Sequence, residues 1–147
     1  MSYYQLYYHI VFGTKGRRSL IPPAYRRDLY AYIYGICKQN KWALHRINGM
    51  SDHVHMLITI PPAVSISKAV KDIKQYSSTW ARQHTHLGAT WYGWGKGYAV
   101  KSYSVSELEV VKNYIINQEA HHRGISFYDE YKHFVEGMGY AFVDEEG

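Results

Sequence analysis

Eight consecutive residues, His53-Val-His-Met-Leu-Ile-Thr-Ile60, constrain the fold of this chain more than any other stretch. The run is apolar, rich in β-branched residues and stopped by Pro61-Pro62, so it reads as a strand rather than a helix. Gly49-Met50-Ser51-Asp52 precedes it as a turn, and Trp42 to Asn48 reads as another strand before that turn. Two strands so close in sequence pair naturally as an antiparallel hairpin. Alternation sends Val54, Met56 and Ile58 to one face of the sheet and both imidazoles, His53 and His55, to the other. The first face needs helices against it.

The flanking segments supply them. Tyr4 to Phe12 reads as a first strand, followed by a basic turn from Thr14 to Arg18. Pro22-Pro23 then opens a helix to about Asn40, with Tyr25, Leu29, Ile33 and Ile36/Cys37 at helical spacing. Ser65 is placed to cap a second helix reaching about Gln83. Its inward positions are Ile66, Ala69/Val70, Ile73 and Tyr76/Ser77, with Lys68, Lys71, Lys74 and Arg82 largely exposed. A loop rich in glycine and aromatics runs from Gly88 to Gly97, and Tyr98 to Val105 reads as a fourth strand. Ser106-Glu107-Leu108-Glu109 has the form of a capping box, predicting a third helix from Ser106 to about His122. A short helix from Ser126-Phe127 to near Gly137 and an acidic tail complete the chain. The order β-α-β-β-α-β predicts an α+β, ferredoxin-like sandwich in which two helices cover one face of a four-stranded antiparallel sheet. In that topology the first and third strands are central. The third helix, or its copy from a second subunit, must cover the histidine face.

At 147 residues and 17.2 kDa, the chain is expected to form one domain spanning residues 1–147. No apolar run approaches the length of a bilayer span, and no basic segment followed by an apolar run marks a signal peptide. The single cysteine, Cys37, excludes an internal disulfide framework and fits a reducing cytoplasm. A net charge of +5 favours a polyanionic partner. Two basic clusters, Lys15, Arg17 and Arg18 on the loop and Lys71, Lys74 and Arg82 on the second helix, are the candidates for phosphate contacts. Trp91, Tyr92 and Trp94 suit either stacking on bases or filling a gap between subunits.

Two imidazoles do not make a metal site, but Tyr114-Ile-Ile-Asn-Gln118 offers what is missing. Residues four apart share a helix face, so Tyr114 and Gln118 point the same way. Gln118 can bring an amide oxygen to a cation beside His53 and His55, leaving positions open for substrate and water. Such a cation polarises a phosphodiester, and Tyr114 is placed one turn away to attack it. Asp52 reads as a turn residue or as a partner orienting an imidazole. Asn117 and His121 are further candidates for supporting contacts, whereas His122 reads as a helix end. His9 lies on the other central strand.

His53-Val54-His55 also matches the histidine-hydrophobic-histidine signature of the HUH nucleases. Tyr114-Ile-Ile-Asn-Gln-Glu-Ala-His-His122 closely resembles the single-tyrosine transposases of the insertion-sequence 200/605 class. Tyr8-His-Ile-Val-Phe-Gly-Thr-Lys15, Ser51-Asp-His-Val-His-Met-Leu57, and Gly97-Tyr98 followed by Ser104-Val-Ser106 extend the resemblance, in order, from about Tyr3 to Phe134. It implies that His53, His55 and Gln118 bind Mg²⁺ or Mn²⁺ and that Tyr114 is the nucleophile. It implies cleavage of single-stranded DNA at hairpin-marked element ends, with a 5′-phosphotyrosine link, a free 3′-hydroxyl and no nucleotide cofactor. It also implies a homodimer, often with the tyrosine helix completing the partner's site. Ser51 stands where proline is more usual, and Ala99-Val100-Lys101 replaces the small and aromatic residues expected after the Gly-Tyr pair. Two other readings compete. A catalytically silent nucleic-acid-binding domain of the same fold would bind without cleaving. A hydrolase with zinc on His53 and His55 would cleave without an adduct.

Overall fold

The computed structural model describes residues 1–146. Four antiparallel strands form one sheet in the order β2-β3-β1-β4, with β1 (Tyr7–Gly13) and β3 (His53–Thr59) central. β2 (Ala43–Met50) and β4 (Ala99–Tyr103) are the edges. The expected ferredoxin-like order is therefore present, and the hairpin of β2 and β3 turns on Ser51-Asp52 alone. β2 continues through Gly49, where a Cβ would lie 2.1 Å from the His53 carbonyl oxygen, so only glycine fits. β1 begins at Tyr7 rather than Tyr4 because its ladders begin there, with Tyr7 opposite Tyr103 and Tyr8 opposite Ile58. Earlier residues have no partner strand.

Helices α1 (Pro23–Gln39) and α2 (Ile66–Gln83) cover one face. Ile10, Phe12, Val54, Met56 and Ile58 meet Leu29, Ile33, Val70 and Ile73 there in the main core. Burial at this scale stabilises by ~1.5–3 kcal/mol for each large aliphatic side chain. Ser65 caps α2, its Oγ accepting from the Lys68 N–H at 3.1 Å. Two expectations for α2 fail. Tyr76 is 52% exposed and Ser77 alone takes the inward position, its Oγ donating to the Ile73 carbonyl at 2.6 Å. Lys74 is not a solvated cation; its Nζ donates to the carbonyls of Gly95 (3.0 Å) and Gly97 (2.6 Å) and braces the glycine-rich loop. In that loop Trp91 and Trp94 turn inward, their indole N–H groups donating to Ser78 Oγ (2.8 Å) and Ser77 Oγ (2.9 Å).

The C-terminal helices cover the other face. The capping residue is Ser104, two positions before the expected one: its N–H donates to Glu107 Oε1 at 3.0 Å, and a 3₁₀ turn (Val105–Glu107) leads into α3 (Leu108–Ile116). Val111 and Ile115 of α3 cover Leu57, the odd-numbered apolar residue of β3. The expected continuous helix to His122 breaks at Asn117 (φ −90°, ψ 22°), and α4 (Gln118–His121) follows as a separate turn. Asn48 of β2 accounts for the break. Its Nδ2 donates to the carbonyls of Ile115 (3.0 Å) and Ile116 (2.9 Å), which a continuing helix would have offered to residues 119 and 120. α5 (Phe127–Gly137) starts at Ser126, whose Oγ accepts from the Asp129 N–H at 3.1 Å.

Candidate active site

β3 places His53 and His55 on the face under α3 to α5, at 0% and 1% exposure. α3 runs across this face, so Tyr114 comes beside the pair, its ring centroid 5.7 Å from that of His55. The break at Asn117 still leaves Gln118 aimed inward, with Oε1 2.9 Å from His53 Nε2. One turn later His122 points the same way, its Nε2 3.1 Å from Gln118 Oε1.

The largest addition is Glu130 on α5, a carboxylate at 3% exposure. Its Oε1 lies 3.0 Å from His55 Nε2, 3.0 Å from His122 Nε2 and 3.3 Å from His53 Nε2. Its Oε2 accepts from the Tyr114 hydroxyl and, at 3.2 Å, from Gln118 Nε2. His121 Nε2 stands 3.3 Å from the same Tyr114 oxygen. His53, His55, His122 and Glu130 thus bring four potential ligand atoms within 4.8 Å of one another.

The outer contacts of the imidazoles decide what this cluster can hold. Asp52 Oδ1 accepts from His53 Nδ1 at 2.8 Å, and the Ile125 carbonyl accepts from His122 Nδ1 at 2.7 Å. With those nitrogens protonated, the Nε2 atoms of both neutral rings present lone pairs toward Gln118 Oε1 and Glu130 Oε1, which are themselves acceptors. Lone pairs converging on one point suit a cation, and an N–H anchored on a carboxylate or carbonyl is the usual outer arrangement of a ligating histidine. Ligands ~2.1 Å from an octahedral ion lie roughly 3 Å apart, the spacing found here. The donor set of imidazole, amide and carboxylate fits a divalent metal.

Without a cation, extra protons must fill the gap. Burial lowers the His53 pKa, but the hydrogen bonds its ring donates to Asp52, Glu130 and Gln118 outweigh it and raise the value to about 9. Burial lowers His55 to about 4, and burial together with His55 lowers His9 to about 3. His9 Nε2 and His55 Nδ1 share a 2.8 Å hydrogen bond, which fixes the second ring. Burial opposes ionisation of Glu130, but hydrogen bonds from His53 and His55 hold its carboxyl well below the usual range. Burial and Glu130 push the Tyr114 phenol up.

Among the residues expected from sequence, His53, His55, Gln118, Tyr114, Asp52 and His121 come together. Asn117 is exposed at the helix junction. The basic residues do not converge on Tyr114. Lys71 and Arg82 are exposed on α2, across the sheet from the histidines. Lys15 is exposed, Arg18 lies 4.2 Å from the Tyr92 ring centroid, and Arg17 is held by Asp144. His122 was reachable by the rule that paired Tyr114 with Gln118, being four residues further on. Glu130 had a signal too: it interrupts the apolar stripe Phe127, Tyr131 and Phe134 of an amphipathic helix. Phe127 stacks on His53 at 4.1 Å with the rings 2° from parallel, and Gly13 leaves room, since a Cβ there would meet Phe127 Cε2 at 2.5 Å. A groove of about 440 Å³ opens beside Tyr114, lined by His9, Tyr103, Val111, Glu130 and Phe134.

Residues 2–118, which include His53, His55, Tyr114 and Gln118, match the sequence profile of the family described as Transposase IS200 like. The chain belongs to this family. The transposase for insertion sequence element IS200 of Salmonella typhimurium is 34% identical over 71 residues, 48% of this chain and 47% of the relative. The match thus spans about half the length of that relative and of its Salmonella typhi counterpart. The ISDra2 transposase TnpA of Deinococcus radiodurans is 26% identical over 119 residues, 78% of this chain and 85% of the relative. A crystal structure of a Deinococcus radiodurans R1 protein assigned as a transposase superposes with a TM-score of 0.58 at 25% identity, covering 80% of this chain and 95% of that one. A REP-associated tyrosine transposase bound to a REP hairpin shares the fold, with a TM-score of 0.61 at 16% identity over 83% of this chain and 74% of that one. The IS200-like profile ends before His121, His122 and Glu130, so the third side of the cluster lies beyond the matched segment. Among the described residues, no helix is long and apolar enough to cross a membrane.

Proposed function

We propose that this IS200-like chain is a single-domain DNA transposase, spanning residues 1–147, that cleaves and rejoins single-stranded DNA through Tyr114. The observation that carries this reading is the meeting of Tyr114 Oη with Glu130 in the cluster that also holds His53, His55 and Gln118. A nucleophile, a group able to take its proton and a cation site share one pocket. A divalent ion, Mg²⁺ or Mn²⁺, held by His53, His55 and Gln118 would act as a Lewis acid on the scissile phosphodiester. Tyr114 Oη forms the new bond to phosphorus and the bond from phosphorus to the 3′-oxygen breaks, the departing alkoxide taking a proton from water. This leaves a 5′-phosphotyrosine and a 3′-hydroxyl. Glu130 Oε2, which accepts the tyrosine hydrogen bond, is positioned to receive the phenolic proton. In the reverse attack a 3′-hydroxyl gives its proton to water as it bonds to phosphorus, and the departing Tyr114 oxygen takes its proton back from Glu130, so the strand is rejoined and no nucleotide cofactor is required.

The substrate in this reading is a hairpin-marked element end, a role supported by the hairpin bound to the REP-associated relative. The working form is a homodimer in the cytoplasm. Val105, Val110 and Ile116, at 55%, 73% and 52% exposure, give the α3 side an apolar surface for a partner. Within one chain the Tyr114 ring centroid lies 5.7 Å from that of its own His55, which supports a cis arrangement of the site.

The test is a denaturing gel of the protein with labelled single-stranded element-end DNA and Mn²⁺. A shifted covalent species is expected for wild type and none for Tyr114→Phe, which should retain DNA binding. An adduct in the phenylalanine variant would remove Tyr114 from the mechanism. Cleavage without an adduct would favour activated water, and binding without cleavage a silent domain.

A further inference from the structure

The groove of about 720 Å³ on the other side of Phe127 contains contacts that the reaction does not use; Gly13, Arg17, Lys96 and Tyr131 are among its lining residues. Its framework is fixed by backbone pairing between residues 13–15 and 93–95. Lys15 N–H donates to the Gly93 carbonyl (2.9 Å), Gly95 N–H donates to the Gly13 carbonyl (2.8 Å), and Thr14 bridges Trp94. Lys74 braces the loop from behind through Gly95 and Gly97. Two amides project from this framework, those of Gly16 and Lys96. Arg17 stands beside them with φ 54°, a left-handed conformation uncommon outside glycine.

Both amides point at an anion, and it is the chain's own. Glu146 Oε2 accepts from Gly16 N–H at 2.8 Å and Glu146 Oε1 accepts from Lys96 N–H. Asp144 takes the Arg17 guanidinium through two bonds of 2.8 Å each. A carboxylate spanning two amides beside a forked guanidinium uses the chemistry that recognises a phosphodiester, whose two non-bridging oxygens can take the same donors. These tail contacts lie at the solvent-exposed rim, where such pairs stabilise little. Phe127, which lines the same groove, stacks on His53, so a strand lying here leads toward the reaction centre.

We propose that the Gly16 and Lys96 amides with Arg17 form a phosphate-binding cradle for single-stranded DNA, and that Asp144 and Glu146 occupy it until a strand displaces them. This rests on the DNA-processing reading above. The acidic tail acts as an internal competitor, reducing apparent affinity by the fraction of molecules in which the cradle is filled.

The experiment is fluorescence anisotropy with a labelled oligodeoxythymidine of about 20 nucleotides, titrated in EDTA over a range of salt concentrations. Asp144→Asn/Glu146→Gln is expected to bind about tenfold more tightly at low salt, with a salt slope steeper by about 0.7 for each recovered phosphate contact. Adding Arg17→Ala should remove most of that gain, yet change wild type little, because there the guanidinium is already neutralised. Asp28→Asn/Glu109→Gln adds the same two charges elsewhere and should change affinity by less than about twofold at the same salt. Equal gains in the control and tail variants would overturn the cradle, as would a gain that survives Arg17→Ala. Wild-type binding with no response to the tail overturns the cradle and leaves the DNA reading standing. Absence of binding by every variant sinks both.

Discussion

Asn48 ties the tyrosine helix to the sheet, and two substitutions test how. Its Nδ2 serves two carbonyls, one at Ile115 that is partly buried and one at Ile116 that is exposed. Asn48→Ala leaves the first without its partner, costing about 1 kcal/mol, and lets water replace most of the second, adding ~0.5 kcal/mol or less. Asn48→Asp keeps the shape but has no donor and sets a carboxylate against two carbonyl oxygens, so it should cost at least ~1 kcal/mol more than alanine. Urea unfolding followed by tryptophan fluorescence reads both. With m about 2 kcal/mol/M, the midpoint should fall by ~0.5–0.8 M for alanine and ~1 M or more for aspartate. The decisive feature is the order. If the near-isosteric aspartate is no worse than alanine, the donors of Asn48 do not set the helix break, and its side chain acts only by filling space.

Other outcomes follow from single contacts. Saturating Mn²⁺ should raise the melting temperature of wild type, as expected for ~2.7 kcal/mol at a hundredfold excess over Kd, and should not raise that of His53→Ala. His122→Ala and Glu130→Gln should show a reduced rise if their atoms belong to the cation site; calorimetric titration checks this without any turnover. Among the described residues, Tyr30 Oη is buried without a partner, so Tyr30→Phe should be neutral or stabilise by up to ~1 kcal/mol, and a loss of more than that would reveal a missed bond. Burial pushes the Cys37 thiol up to about 12, so alkylation of the native protein should stay slow even at mildly alkaline pH and accelerate only on unfolding. Rapid native labelling would contradict its place in the core.

The sequence made the sheet legible because its signals were local and unopposed. The run from His53 to Ile60 has strand periodicity, prolines close it, and α1 and α2 repeat at helical spacing beneath it. What escaped were features decided by distant partners. Nothing near Asn117 announces a break, because the side chain that causes it sits on β2. The true capping serine lost to Ser106 because two serines lie within reach of the same acidic stretch, and only the strand's end selects Ser104. Lys74 looked solvated from its place on α2, yet the carbonyls that claim it come from a loop twenty residues away. Tyr114, Gln118 and the histidine pair were readable because each carries a chemically unusual side chain at a fixed spacing. Glu130 left only its interruption of an apolar stripe, and an acidic residue on a short terminal helix is ordinary until its buried face is known.

The placement of the two histidines also divides the reaction centre in time. β1 and β3 are laddered on both sides, so exposing the amides of His9, His53 or His55 requires opening the centre of the sheet. Tyr114, Gln118 and Glu130 hang on three helical pieces of nine, four and eleven residues, with His122 just past the second, and these can open without unravelling that sheet. Hydrogen exchange should therefore find two populations within one pocket: amides on the strands that exchange only with global unfolding, and amides above them that exchange in a local opening. Half of the centre lasts as long as the fold itself, and the other half is rebuilt over it each time the helices reclose.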